Sequence, residues 1–357
     1  MNIALSRMQT LIDEGQQQVP LLLNEIDSER TCRKDMIVKH SSIEIARPSD
    51  LNDDSLRVHL LDSALRSEYK LTDHSESQMY SHYGIPRQYA DKLIEWNMTH
   101  LLEQNFQTIG REHLQNESIM LREIGGTIKG WLSPSYKRID AAPVIGTFVE
   151  ENLKNGLVPI KAFNTDSRVQ LRFAYPEVIV PNGLERESCL VGVTCTTSDY
   201  GGSAFKIDVY ILRLVCLNGM MGQSIWRQVH LGSRFSSEDA IHFLSKQTQE
   251  LDIRTLESGI RDLMKTLPPM REKIKTKIEQ AFLKEPTSAT WAEIKKNTDK
   301  GTNEAITNAY NTNLDIDLLP PEKSNWRLAN AISLIAQQQK NADKRLDLEN
   351  MAMKYIA

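Results

Sequence analysis

The sequence predicts an α+β fold, a central antiparallel β-meander with helical N-terminal and C-terminal regions. The first observation is the stretch Cys189 to Gly232, which reads as three strands in a row: CLVGVTCTTS, then FKIDVYILRLVCL, then the segment to WRQVHLG. They are separated by DYGGS and by Asn218-Gly219. Asn-Gly between apolar runs is a strong hairpin signal, because both residues tolerate the positive φ of a type I′ turn. The second is alternation. Phe205, Ile207, Val209 and Ile211 are apolar while Lys206 and Asp208 fall on the other face, the period of a half-buried strand. The third is that apolar residues on both sides of this stretch recur every three or four positions, the period of a helix. Antiparallel pairing of about 204–217 with 222–231 across Asn218-Gly219 is therefore expected.

Taken in order, residues 1–27 carry a short helical pattern that Pro20 should break. Residues 29–54 are polar, with IVKHSSIEIA an early strand and PSDLNDD a loop. Helical spacing then runs over 55–115, through Leu56, Leu60, Leu61 and Leu65 and later Leu93, Ile94, Met98, Leu101 and Leu102. Thr72 or Asp73 caps a helix through Gln78 and Tyr80, Gly84 ends it, and Pro86 opens the next. Ile119 to Trp131 reads as strand, Gly-Gly turn, strand. Asp140 caps a helix through Ile145, Val149 and Leu153. Lys161 to Phe173 alternates around a polar Asn164–Ser167 turn, and 176–187 is loop. Beyond the meander, Ser236 and Ser237 are cap candidates for a helical tail. Its stripe is Met270, Ile274, Ile278 and Ala281, and Pro268-Pro269 should interrupt it. A last helix runs from about Asn325 to the end. The division is 1–54 acidic segment, 55–118 helical region, 119–235 central α+β domain and 236–357 helical region.

The 357 residues suffice for two domains, and a 40% hydrophobic content supports a real core. No apolar run approaches the roughly 20 residues that span a bilayer. The start lacks the basic-then-apolar pattern of a secretion signal. Cys32, Cys189, Cys195 and Cys216 lie far apart without CxxC spacing, so a cytoplasmic setting is expected. Charge is uneven: residues 1–121 net −7, residues 122–235 net +3 and residues 254–300 net +4. An acidic front and a basic middle are compatible with a polyanionic partner.

Chemical motifs are absent. There is no HExxH, no GxxxxGK[ST] loop and no G-x-S-x-G elbow, and His74 and His82, eight apart, are not a helical ligand pair. No cofactor and no metal are expected. What remains is a set of basic and aromatic residues: Tyr136, Lys137 and Arg138; Phe205 with Lys206; Arg213; and Trp226 with Arg227. Such residues on a sheet can stack bases and neutralise phosphates. The competing explanation is sheet packing with snorkelling cations. Arg271, Lys273, Lys275 and Lys277 form a second basic cluster, read as a solvated helix face.

LTDHSESQMYSHYGIPRQYADKL, LLEQNF and LSPSYKRID resemble a family found across phages, plasmids and prokaryotic genomes, called phage/plasmid-like and known as domain of unknown function nine-three-two. DYGGSAFKIDVYILRLVCLNGMMG and SNWRLANAISLIAQ are similar to its central and C-terminal blocks, so the resemblance covers roughly residues 55–350. It implies a mobile-element setting and no catalytic residue set. The functional expectation is a nucleic-acid-binding protein of phage or plasmid DNA metabolism, of the single-strand binding or annealing kind, acting as a homo-oligomer without catalytic chemistry. Its contacts would be Tyr136, Lys137, Arg138, Lys206, Arg213, Trp226 and Arg227. The alternative is a hydrolase or nuclease whose carboxylates, drawn from Asp140, Glu177, Asp199 and Asp208, assemble only in the fold.

Overall fold

The computed structural model describes residues 2–47, 55–61, 67–134, 136, 141–214, 216–228, 246–312 and 318–356. The elements in chain order begin with α1 (Asn2–Cys32), β1 (Lys34–Lys39), β2 (Ile43–Ala46), β3 (Arg57–Leu60), β4 (Ser67–Leu71), α2 (Asp73–His82), α3 (Arg87–Glu95) and α4 (Thr99–Glu112). They continue with β5 (Ser118–Ile124), β6 (Thr127–Leu132), α5 (Ala141–Lys154), β7 (Val158–Asn164), β8 (Val169–Ala174), β9 (Cys189–Thr197), β10 (Phe205–Arg213) and β11 (Asn218–Gln228). The C-terminal part is α6 (Lys246–Leu283), α7 (Ser288–Asn297), α8 (Lys300–Asn311), α9 (Asn325–Gln337) and α10 (Ala342–Met353). Among the described residues no helix is long and apolar enough to cross a membrane.

The meander is larger than its three expected strands. β7 to β11 form one five-stranded sheet in sequence order, and every neighbouring pair is antiparallel. β10 and β11 pair as expected, but the turn is displaced. Arg213 faces Asn218 across the ladder, so the turn falls before Asn218, and Asn218-Gly219 opens β11. The left-handed residue is Leu217, at φ 57°. A Cβ on Gly219 would lie 2.8 Å from the Tyr210 hydroxyl, so a larger residue there would make Tyr210 shift. The remainder of the expected third strand, with His230, and the cap candidates Ser236 and Ser237 lie outside the described residues.

Along β8 to β10 one face is apolar: Leu171, Phe173, Val193, Phe205 and Ile207 pack under α5 and α6, and Val191, Val209 and Ile211 under α6 to α10. The opposite face mixes Tyr210, Leu212 and Leu190 with Gln170 and Arg172, and is covered by the first half of α1 and by Leu346 of α10. A second sheet, in the order β1-β5-β6-β4-β3-β2, has one parallel pair, β4 with β6, and carries α2, α3 and α4. The two sheets meet at the β9–β10 loop. There the Tyr200 carbonyl accepts from His74 Nε2 and Gln78 Nε2, both at 2.9 Å, and Asp199 pairs with Arg33 at 3.1 Å.

Several expectations need correction. Pro20 does not break the first helix, and Pro268-Pro269 does not interrupt α6. In both, the prolines sit on the exposed face and a buried stripe continues past them. In α1 the residue whose carbonyl Pro20 leaves without an N–H, Gln16, is itself exposed. The start of the spacing read as helical from residue 55 belongs to β3, and 67–71 to β4, while Leu65 lies outside the described residues. Leu56, Val58 and Leu60 alternate, so the pair four apart was also a pair of a period-two pattern. The last helix is two, because Asn341 caps α10 anew by accepting from Lys344 N. Thr72 caps α2 through a reciprocal bond with Ser75, Gly84 ends it at φ 68°, and β5-β6 is the expected Gly-Gly hairpin.

Candidate functional site

The basic and aromatic residues singled out in the sequence do not form one surface among the described residues. Tyr136 is half-buried. Its hydroxyl donates to the Ser198 carbonyl at 3.2 Å, its ring lies 5.9 Å from the Arg122 guanidinium, and burial pushes its pKa up to about 12. Lys206, half-buried, has its ammonium 3.6 Å from Asp208. Arg213 is fully enclosed. Its Nε and Nη2 donate to Glu187 at 2.7 and 2.9 Å, its Nη1 donates to the Leu318 carbonyl at 3.2 Å, and Trp326 Nε1 donates to the same Glu187 at 2.7 Å. Its place on the apolar face of β10 is that of a core ion pair, not of a strand contact. Trp226 and Arg227 lie in β11 by their backbone, while Lys137 and Arg138 fall outside the described residues.

The three described carboxylates of the alternative, Glu177, Asp199 and Asp208, do not converge either. Asp199 pairs with Arg33 and accepts from the Ala141 N–H at the start of α5. Asp208 lies beside Lys206, and Glu177 pairs with Arg271 on the surface. Asp140 lies outside the described residues. Among those residues no group of three or more His, Cys, Asp or Glu is placed to hold a metal ion.

What the fold does assemble is a trough on the polar face of the five-stranded sheet. Its first wall is α1, which rests backbone to backbone on the edge strand β7: a Cβ on Gly15 would meet the Pro159 carbonyl oxygen at 2.3 Å. Gln18 Oε1 accepts from the Ala162 N–H at 3.1 Å, covering part of the sheet edge. That seating brings Arg7, Thr10, Leu11 and Glu14, spaced three, one and three apart, along one face of the helix. Arg345 of α10 and Gln337 of α9 form the facing wall, and Ile160, Arg172, Tyr210 and Leu212 the floor. The enclosed volume is about 330 Å³, at the low end of the range for small-ligand pockets.

Phe163 stands at the rim of this trough, half-buried, with three cations around its ring. Arg172 lies 4.8 Å from the centroid, and Lys161 and Arg345 lie 5.8 Å from it. Arg172 is held from below. Its Nε and Nη2 donate to Gln170 Oε1 at 3.0 and 2.8 Å, its Nη1 to the Tyr210 hydroxyl at 3.3 Å, and it pairs with buried Glu349. Burial opposes its charge, but Glu349 and Tyr210 outweigh that and raise its pKa. Glu349 also binds Arg345 Nε at 3.2 Å, and Lys161 lies 3.7 Å from Glu14. Four cations thus face two carboxylates, which leaves the trough positive at neutral pH. Leu217, in its left-handed conformation, closes one end.

A second concavity, about 540 Å³, runs along α2 between His74, Gln78 and His82 on one side and Trp131 and Glu117 on the other. His82 Nε2 lies 2.8 Å from His40 Nε2, the rings stack at 4.8 Å, and the Tyr83 hydroxyl is 3.0 Å from His40 Nδ1. Burial, then the neighbouring His82, depresses His40 to about 4, and burial lowers His82 as well. His40 is neutral at pH 7. Among the described residues no lysine or arginine lines this groove.

Sequence reasoning missed the trough residues. Lys161 and Phe163 share one side of an alternating strand and were the accessible hint. Arg7 and Arg345 come from opposite ends of the chain, and no local pattern links them. The fold and the trough together define the class, an α+β protein with a positively charged, aromatic-rimmed pocket on a five-stranded meander. No family model, no curated protein and no solved structure matches the chain.

Proposed function

We propose that the protein binds single-stranded nucleic acid, with Phe163 as the stacking surface and Lys161, Arg345 and Arg7 as the phosphate-facing cations. The observation that carries this reading is the Phe163 ring with three cations within 6 Å at the rim of a net-positive trough. Single strands are held by this combination: aromatic faces accept any base, and cations release counterions from the backbone. Arg172 is committed to Gln170, Tyr210 and Glu349 and fixes the floor.

The reading differs from the sequence expectation in its residues. Its contacts lie on β7, α1 and α10 instead of at Tyr136, Lys137 and Arg138 and on the β10–β11 hairpin. The test is fluorescence anisotropy of a labelled oligonucleotide at low salt, comparing wild type with Phe163→Leu. Loss of one stacked base costs about 1–3 kcal/mol, so affinity should fall roughly 5- to 150-fold. Equal affinity in the variant, with wild type binding, refutes the assignment of Phe163. No binding by wild type refutes the function.

A further inference from the structure

The trough does not have the shape of a channel through which a strand passes. Its end at the β10–β11 turn is shut by two clips: Arg7 Nη1 donates to the Leu214 carbonyl at 3.0 Å, and Gln337 Nε2 donates to the Leu217 carbonyl at 2.6 Å. The first ties the turn to α1 and the second ties it to α9. The floor is sealed by the Arg172–Glu349 pair, whose side chains are 3% and 1% exposed. Access remains at the rim, where Phe163 is half-buried and Lys161 and Arg345 keep 34% and 31% of their side-chain surface. About 330 Å³ is near the lower limit of small-ligand pockets and far below a groove tracking about 4–16 nucleotides.

Within that volume the cations are distributed in depth. Lys161 and Arg345 stand at the rim, Arg172 lies in the floor, and Arg7 stands at the closed end. An internal phosphodiester carries one negative charge, while a phosphomonoester carries about −1.5 to −2 at pH 7 and three strong acceptor oxygens. Charge placed at a dead end favours the group that can reach it and carries more charge.

Resting on the nucleic-acid reading, we propose that the trough takes a single nucleotide by its terminal phosphomonoester, with the phosphate toward Arg7 at the closed end and the base against Phe163. The two sources of that chemistry are a phosphorylated strand end and a free mononucleotide. The protein would then recognise ends or free nucleotides, and the interior of a strand only through the rim.

The experiment uses the full chain and one internally labelled 12-mer in four forms: 5′-phosphorylated, 3′-phosphorylated, unphosphorylated and circularised, with AMP titrated separately by calorimetry. One phosphorylated form should bind at least about tenfold tighter than the circle, as expected for an added charge-assisted contact, and AMP should compete with it. Arg7→Gln should abolish the preference, and Lys273→Gln, on the exposed side of α6, should keep it. Binding of the circle as tight as both phosphorylated forms overturns the end assignment and leaves the single-strand reading standing. Binding of AMP with no binding of any oligonucleotide supports the phosphomonoester pocket and overturns the single-strand reading. Binding of none of the probes overturns both.

Discussion

Replacing Glu187 by alanine should be among the most damaging single changes in the protein, and its reversal by a second change is the informative part. Glu187 is 3% exposed and accepts three charge-assisted or buried bonds, from Arg213 Nε at 2.7 Å, Arg213 Nη2 at 2.9 Å and Trp326 Nε1 at 2.7 Å. Its removal leaves a guanidinium enclosed without its counter-ion, a loss of about 3–5 kcal/mol for a broken buried pair. The orphaned indole N–H adds about 1–3 kcal/mol, less whatever relaxation the two share. Against a typical stability of about 5–15 kcal/mol, Glu187→Ala should lower the urea midpoint severely. Adding Arg213→Met removes the stranded charge, so the double variant should be more stable than Glu187→Ala and retain chiefly the indole defect. Urea denaturation followed by far-UV circular dichroism measures the series. A Glu187→Ala variant within about 1 kcal/mol of wild type, or a double variant less stable than the single, would refute the enclosed-pair reasoning. Oligonucleotide affinity of folded Arg213→Met should match wild type, since Arg213 has no exposed surface.

Other consequences follow from the same geometry. His40 is depressed to about 4 in the fold against about 6.5 when unfolded, so between these values the unfolded chain binds more protons. Stability should therefore be full above pH 6.5 and fall as pH drops toward 4, by up to about 3 kcal/mol from this residue. His40→Gln should flatten that part of the profile, and an unchanged profile would rule out His40 as its source. Gly15→Val should push α1 off β7, because even a Cβ meets the Pro159 carbonyl at 2.3 Å. Both the melting temperature and oligonucleotide affinity should drop, and an unaltered affinity would remove α1 from the site. Gly219→Val should displace Tyr210, whose hydroxyl lies 2.8 Å from the added Cβ, and lower stability by about 1–3 kcal/mol in a thermal melt.

The class of fold was legible because it rests on local periodicity. Alternation at Phe205–Ile211 and capping at Thr72 are read from a few adjacent residues, and both stand. Elements were misread where a local rule met a tertiary contact. Pro20 and Pro268-Pro269 remain in long helices because the faces opposite them are buried, and Asn218-Gly219 opens β11 instead of making the turn, with Gly219 packed against Tyr210. Arg213 shows the same limit at the level of the site. A basic residue on an apolar strand face has two explanations, a ligand contact or a buried pair, and the partner Glu187 is 26 positions away. The trough was the least legible feature, since Arg7, Lys161 and Arg345 meet only after α1 and α10 dock on one face of the sheet.

The most direct test of the central claim is the salt dependence of single-strand binding for wild type and for Lys161→Gln/Arg345→Gln. Each cation that neutralises a single-strand phosphate contributes about 0.7 to the slope of log affinity against log salt. The double variant should thus bind more weakly at low salt, with a slope shallower than wild type by about 1.4. A double variant with the wild-type slope would mean that these cations meet no phosphate, and would contradict the assignment of the trough as the nucleic-acid site.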